Sequence, residues 1–281
     1  FATVAEAAGA QVSAIPLLGQ AMVGSAIAAG GSDAQKGEWL PRIAGGETIA
    51  VAAQCSDLEV DGDTLTGRCH FVAYGNVADL LLVTAPGCAW IVETGAQGFT
   101  VEAHLTMDQT RPLATITLDR ATGTPLRDAN AATQAAQASG LICLAAEALG
   151  GAQACLDRTV AYAKERIQFG RAIGSFQAYK HRLADMMIEI EQARSAVYWA
   201  ACTVDEQSDD RALALHAAKS FAADTYFKCA GDMIQLHGGI GFTWEHDAHL
   251  FFKRARSIQT LLQNGSWHRE QVATMILGEA A

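Results

Sequence analysis

From Ala131 onward the chain reads as helical, interrupted at a few short polar or glycine-bearing points. Gln153 to Gln168 is rich in Ala, Leu, Lys, Glu and Arg, which are good helix formers. The interruptions set out four long helices, at about 131 to 167, 176 to 206, 209 to 237 and 246 to 263, with a short one running to 279. Along the second, Leu183, Met187, Ile190, Arg194 and Val197 follow i, i+4, i+7 spacing, a core-facing stripe whose one polar member is Arg194. Asp205 to Asp210 is a polar turn between helices. Long helices joined by short connections pack at shallow angles as a four-helix bundle.

What precedes the bundle changes character twice. Residues 1 to 47 read as helical, with breaks at Pro16 and Gly30-Gly31. Ser32 or Asp33 caps a short helix to Leu40, and Pro41 follows it. Residues 48 to 125 alternate short apolar runs with turns: Ile49 to Ala53, Leu80 to Thr84, Ala89 to Glu93 and Thr115 to Leu118. Val60 to Gly67, with Asp61-Gly62-Asp63 at its centre, is a hairpin signal. The expected class is therefore α+β: an N-terminal helical part (1 to 47), a small middle β domain (48 to 125) and a C-terminal helical bundle domain (126 to 281). The first residue is Phe, so the natural start is expected upstream.

Charge and cysteines narrow the function. A net charge of −10 argues against nucleic acid or an anionic membrane as the main partner. Seven cysteines with no CxxC pair and no zinc spacing suit a reduced, cytoplasmic protein. The apolar runs are Ala-rich and Gly-interrupted, so no membrane span and no secretory leader are expected. His237 with His246-x-x-His249 can be drawn as metal ligands, but a third ligand is badly spaced and no metal is expected.

The chemistry concentrates where the first long helix stops. Arg166, Gln168 and Phe169 offer a fixed charge, an amide and an aromatic face, which suits a nucleotide cofactor. On spacing alone, Phe169 can equally be core and Arg166 a solvated charge. Gly170 and Gly174 punctuate the chain, and Ser175 is placed to cap the next helix.

Glu165-Arg166-Ile167-Gln168-Phe169-Gly170-Arg171, then Ile173-Gly174 and Phe176-Gln177, resembles the signature of acyl-CoA dehydrogenases. Gln235-Leu236-His237-Gly238-Gly239-Ile240-Gly241-Phe242-Thr243 resembles that family's second hallmark. Trp39 to Glu47 resembles its link from an N-terminal helical domain, here truncated, into a middle domain. The resemblance implies FAD as cofactor, an acyl-CoA thioester as substrate and an electron-transfer flavoprotein as acceptor. It implies α,β-dehydrogenation: a carboxylate takes the α proton and flavin N5 takes a hydride.

Against that pattern the chain departs in a consistent way. The usual base position falls on Leu262 or Gln263, and neither accepts a proton at neutral pH. The alternative base position falls on Gly140, and Glu147, two turns on, is the one carboxylate nearby. Ala138-Ser139-Gly140-Leu141 replaces the family's Asp-x-x-Arg for CoA. Ala52 to Asp57 runs almost directly into the hairpin, leaving no room for the loop that wraps the flavin ring, and the family's strand before its flavin contact is matched by Phe71 to Asp79.

In this family a flavin lies between two subunits, and the retained hallmarks are those given to a neighbour. The expected catalytic set is thus empty apart from Glu147. The expected cofactor contacts, made across an interface, are Arg166, Gln168, Phe169, Gln235, Gly238 and Gly239. Gly238-Gly239 let backbone approach phosphates, though close helix packing is the alternative reading for these glycines. The chain resembles the short, non-catalytic subunit of actinobacterial α2β2 acyl-CoA dehydrogenases acting on steroid CoA esters, partnered by a longer catalytic subunit. The alternatives are a self-sufficient homo-oligomeric dehydrogenase or flavin oxidase using Glu147, and a flavin-free structural subunit. Met186, Met187, Val197, Tyr198 and Trp199 along one helix favour association.

Overall fold

The computed structural model describes residues 1–278. Its contacts group the chain into two compact units, one of residues 14 to 140 and one of residues 1 to 13 with 141 onward. The first 13 residues thus belong with the helical unit and not with the N-terminal helices that follow them.

The first unit holds two four-stranded sheets. One has the order β1 (Ala50–Gln54), β4 (Leu80–Ala85), β5 (Cys88–Glu93), β8 (Thr124–Pro125). The other has the order β2 (Glu59–Asp61), β3 (Thr64–Ala73), β7 (Leu113–Thr122), β6 (Phe99–His104). Alternation puts every second side chain inside: Val51, Leu65, Cys69, Leu81, Val83, Val92, Ile116 and Leu118 share one core. The first sheet buries its other face as well. Ala50, Leu80, Leu82 and Ile91 pack on Val23, Ala26 and Ile27 of α2 (Leu17–Gly30) and on Trp39 of α3 (Asp33–Ala44). Such double burial explains the unbroken Leu80-Leu81-Leu82-Val83 run.

Two local expectations fail here. Ser32 is the N-cap of α3, in a capping box with Gln35, but the helix does not stop at Leu40. It carries Pro41 within its last turn and ends at Ala44. A proline this close to the end removes one intrahelical bond, and Gly45 N still donates to Pro41 O at 2.8 Å. Strand β6 was not expected. Its sequence, Phe-Thr-Val-Glu-Ala-His, has every position half-buried or exposed, so it lacks a strong apolar alternation.

The second unit is helical. It contains the later part of α4 (Ala129–Glu165), then α5 (Gln177–Asp205), α6 (Arg211–His237), α7 (Ala248–Thr260) and α8 (Gly265–Leu277), with α1 (Ala2–Ala10) packed on α4. The expected end of the last helix at 279 lies outside the described residues. α4 is long and apolar enough to cross a membrane by composition, but 89% of its most apolar window is buried. On α5 the buried stripe is Met186, Ile190, Ala193, Val197 and Ala200. Met187 is 54% exposed, one position off the expected face.

Glycine decides how α1 docks. A Cβ on Gly9 would overlap the Glu147 carbonyl, and one on Gly150 would overlap the Glu6 carbonyl. The two backbones therefore touch directly, at a spacing that only glycine permits. Side chains then fix the docking. Arg194 Nη1 donates to Glu6 Oε1 at 2.6 Å and Arg194 Nη2 to Gln153 Oε1 at 2.9 Å. Tyr198 Oη donates to Glu6 Oε2 at 3.1 Å. The polar member of the predicted α5 stripe thus holds α1 to the bundle.

Candidate functional site

The end of α4 is where the chain projects. After Glu165 a two-residue strand, β9 (Ile167–Gln168), pairs antiparallel with β10 (Arg171–Ala172). Phe169 and Gly170 form the loop, with φ of 52° and 75°. Positive φ at both central residues is the signature of a type I′ turn, whose twist matches that of a hairpin. Phe169 stands at its tip, 91% exposed, so the core reading for this residue fails. Its ring meets Phe176 edge-on at 6.2 Å, and the Arg171 guanidinium lies 4.0 Å over Phe176. An aromatic held out in the left-handed region on a preset turn is a costly arrangement for a surface that meets only water.

Arg166 lies beside the hairpin, exposed, and has no ion-pair partner among the described residues. Its main chain closes the motif: Arg166 N donates to Tyr162 O and Ile173 N donates to Arg166 O, both at 2.9 Å. Gln168 is exposed, with Nε2 donating to Ile167 O at 2.8 Å. Ser175 does not cap α5. Its hydroxyl donates to Ala172 O at 2.7 Å within the 3₁₀ turn Ile173–Ser175, and Phe176 takes the N-cap position.

The second hallmark lies at the same end of this unit. Tyr162 on α4 stacks on His237 on α6 at 4.4 Å, and Tyr162 Oη donates to His237 O at 3.4 Å. Residues 75 apart in sequence thereby join the hairpin's base to the glycine turn. His237 Nδ1 lies 2.7 Å from Met233 O, which can only accept, so Nδ1 carries the hydrogen. Burial pushes its pKa down and keeps the ring neutral. Gln235 is exposed in the last turn of α6. Gly238 ends that helix with φ 64°, its N–H donating to Gln235 O. The 3₁₀ turn Gly238–Phe242 follows.

The glycines of this turn divide sharply. A Cβ on Gly241 would meet Ile234 O at 2.6 Å, so that glycine serves close packing. A Cβ on Gly238 or Gly239 would meet nothing within 4 Å. Gly238 is required by its φ, but Gly239 is neither crowded nor left-handed. The packing reading therefore fails for Gly239, and its freedom faces outward. With an exposed guanidinium and an exposed aromatic at the same end, these residues fit a cofactor that combines phosphates with flat rings.

Sequence reasoning missed the aromatic support of the turn. Trp244 is 78% exposed, with Lys253 Nζ 4.3 Å over its ring and His249 edge-on at 4.9 Å. His246 lies 4.5 Å from His237. The three histidines drawn as metal ligands instead pack against aromatic rings or one another, and no metal-ligating group of three occurs among the described residues.

The positions where the family's base, CoA contact and flavin loop would fall, and the one candidate base Glu147, have structural surroundings. Leu262 and Gln263, in the turn between α7 and α8, have φ of 51° and 78°. Glu147 is buried against Arg254 of α7, with side-chain exposures of 7% and 1%. Arg254 also donates to Ser13 O at 3.3 Å. Ser139 bonds its hydroxyl to Ala135 O at 2.9 Å, back along its own helix. Only residues 55 to 58 separate β1 from β2, so no loop is inserted there.

The chain belongs to the acyl-CoA dehydrogenase family, a family of oxidoreductases. Residues 131–277 match the family's C-terminal domain model and residues 1–47 its N-terminal domain model. Acyl-CoA dehydrogenase IpdE2 of Mycolicibacterium smegmatis is 42% identical over 195 residues, 69% of this chain and 57% of that protein. The match thus spans little more than half of that relative. The ChsE4–ChsE5 complex of Mycobacterium tuberculosis superposes with a TM-score of 0.90 at 26% identity, covering 99% of this chain and 80% of its counterpart. The Tcur3481–Tcur3483 steroid acyl-CoA dehydrogenase superposes with a TM-score of 0.89 at 29% identity, covering 97% and 79%.

Proposed function

We propose that this chain is the non-catalytic subunit of a heteromeric, FAD-dependent acyl-CoA dehydrogenase, lending contacts to a flavin held mainly by a longer partner subunit in an α2β2 assembly. The observation that carries the reading is the pairing of an outward Phe169 with an uncrowded Gly239 at one end of the bundle. Neither is explained by packing within the chain. Arg166 would pair with a pyrophosphate oxygen. Gln168 and Phe169 would flank the adenosine half, Gln235 would hydrogen-bond the cofactor, and the Gly238-Gly239 turn would leave room for its phosphates.

Bound FAD supplies the hydride acceptor for α,β-dehydrogenation of an acyl-CoA thioester. One structural neighbour, a glutaryl-CoA dehydrogenase of Mycobacterium smegmatis, is in complex with FADH2. This chain's own residues orient that group and shield it; they move no proton. Leu262 and Gln263 offer no carboxylate, and the Glu147 carboxylate faces a buried guanidinium. The partner would supply the base, and an electron-transfer flavoprotein would take the electrons. A steroid CoA ester is the favoured substrate class, because one structural relative is a steroid acyl-CoA dehydrogenase built from two named components.

The test is co-expression with a longer acyl-CoA dehydrogenase gene from the same genome, followed by flavin quantitation per complex. Two flavins per tetramer, with flavin and activity both lost on Arg166→Ala in this chain, support donation across the interface. Four flavins per tetramer, or flavin retained by this chain expressed alone, would overturn it.

A further inference from the structure

Away from that site, α6, α8 and the turn before α8 share a buried polar cluster. His216 and Lys219 come from α6 and His268 from α8, and all three are at most 8% exposed. His268 Nε2 lies 2.9 Å from Leu262 O. A carbonyl only accepts, so Nε2 carries the hydrogen and the Nδ1 of neutral His268 is an acceptor. His216 Nδ1 lies 2.8 Å from His268 Nδ1, so His216 is the donor there. Lys219 Nζ donates to Gln263 O at 3.1 Å. The two captured carbonyls belong to the two left-handed residues of the turn, Leu262 and Gln263. Trp267 closes the cluster, edge-on to His216 at 5.5 Å and to His268 at 5.1 Å.

We propose that His216, Lys219 and His268 form an acid-released latch that holds α8 and its preceding turn against α6. With His268 neutral the bond from His216 has one allowed polarity, and a proton on His268 blocks it. Nδ1 of His268 then becomes a donor facing the Nδ1–H of His216, and a second positive charge appears beside Lys219 among largely buried side chains. The nearby carboxylate, Asp224, offsets the positive charge of Lys219 only in part. Asp224 of α6 is engaged by Arg269 of α8 at 2.7 Å and by the neutral Gln259 of α7 at 2.8 Å. Burial, then the charge of Lys219, then His216 hold the His268 pKa down at about 4. Burial lowers that of His216 as well. Protonation thus costs the His216–His268 bond that joins α8 to α6, while His268 Nε2–H keeps Leu262 O and moves with α8.

Amide hydrogen exchange on the full chain tests the latch, with α8 compared against α4 as internal reference. An open state whose histidine titrates normally at about 6.5 gains roughly 30-fold over the latched state between about pH 7.5 and about pH 5. The α8 opening constant is expected to rise by that factor while α4 stays protected. His268→Gln keeps a donor for Leu262 O and an acceptor for His216 but takes no proton, and is expected to flatten the response. An acid response that persists in His268→Gln, a flat wild-type profile, or α4 opening in step with α8 would each overturn the proposal. Should the variant not fold, the wild-type ratio of α8 to α4 decides alone.

Discussion

Arg254 and Glu147 form an ion pair in the interior of the helical unit, with the guanidinium also holding the Ser13 carbonyl. The pair crosses from α7 to α4 and ties the segment after α1 to both. Removing one member takes this ion-pair partner from the other buried charge, a loss that costs about 3–5 kcal/mol. Glu147→Ala is therefore expected to lower the unfolding free energy by about that amount in urea titration. Glu147→Gln, which can still accept from Arg254, should cost less. Turnover of the assembled enzyme is expected to stay within about twofold in Glu147→Gln, whereas a true base would lose orders of magnitude.

The outward glycine gives a cleaner separation of fold from cofactor. Gly239→Ala introduces a methyl where nothing lies within 4 Å and where φ is not left-handed. Stability is expected to change by no more than about 0.5 kcal/mol, as for an unencumbered surface change. Flavin retention by the complex is expected to fall at least about tenfold, equivalent to roughly 1.4 kcal/mol of lost affinity. Gly241→Ala is the contrast: its methyl meets Ile234 O at 2.6 Å, so it should lower stability first. Equal flavin content in wild type and Gly239→Ala, read by absorbance after gel filtration, would count against the site.

Much of this was legible from residue order, and the remainder follows a rule. The helices from α4 onward appear within a few residues of where propensity and punctuation put them, because long local patterns carry that information. The missed features depend on distant partners. Phe169-Gly170 does not announce a type I′ turn as Asn-Gly would; the left-handed phenylalanine is held there by pairing of β9 with β10. Nothing near Gly9 or Gly150 says that each meets a carbonyl of the other's helix, Glu147 on α4 and Glu6 on α1. The choice of Met186 over Met187 for the core is set by the helix that α5 packs on, and adjacent methionines hide it from a periodicity count.

Lys219 makes an alkaline prediction with a definite sign. Burial lowers its pKa from 10.5 to about 8, with Asp224 opposing the shift. The unfolded chain keeps this proton to about pH 10.5, while the folded chain releases it near pH 8. Between those values the unfolded state binds more protons, so stability rises with pH. The size is ~3 kcal/mol across the window, at 1.36 kcal/mol per unit. Below pH 8 both states are protonated and this contribution is flat. Denaturant midpoints measured from neutral to alkaline pH should climb in wild type, and the climb should be absent in Lys219→Met.

The last prediction concerns α1. Its docking uses two glycines for backbone contact and one carboxylate, Glu6, for side-chain anchoring. Gly150→Ala places a methyl into the Glu6 carbonyl, and a backbone oxygen cannot swing aside as a flexible side chain would. Overpacking of this kind costs typically about 1–3 kcal/mol when the structure absorbs it. Here the easier response is for α1 to lift away, since only residues 1 to 13 of the preceding chain belong to this unit. Gly150→Ala is thus expected to raise protease sensitivity before Ser13 and to expose Glu147 and Arg254, while the exchange protection of α6 stays near that of wild type. Arg194→Ala should act in the same direction but more weakly, because Tyr198 still holds Glu6. If Gly150→Ala instead lowers protection evenly across α4, α5 and α6, then α1 is an integral part of the bundle and not a docked segment.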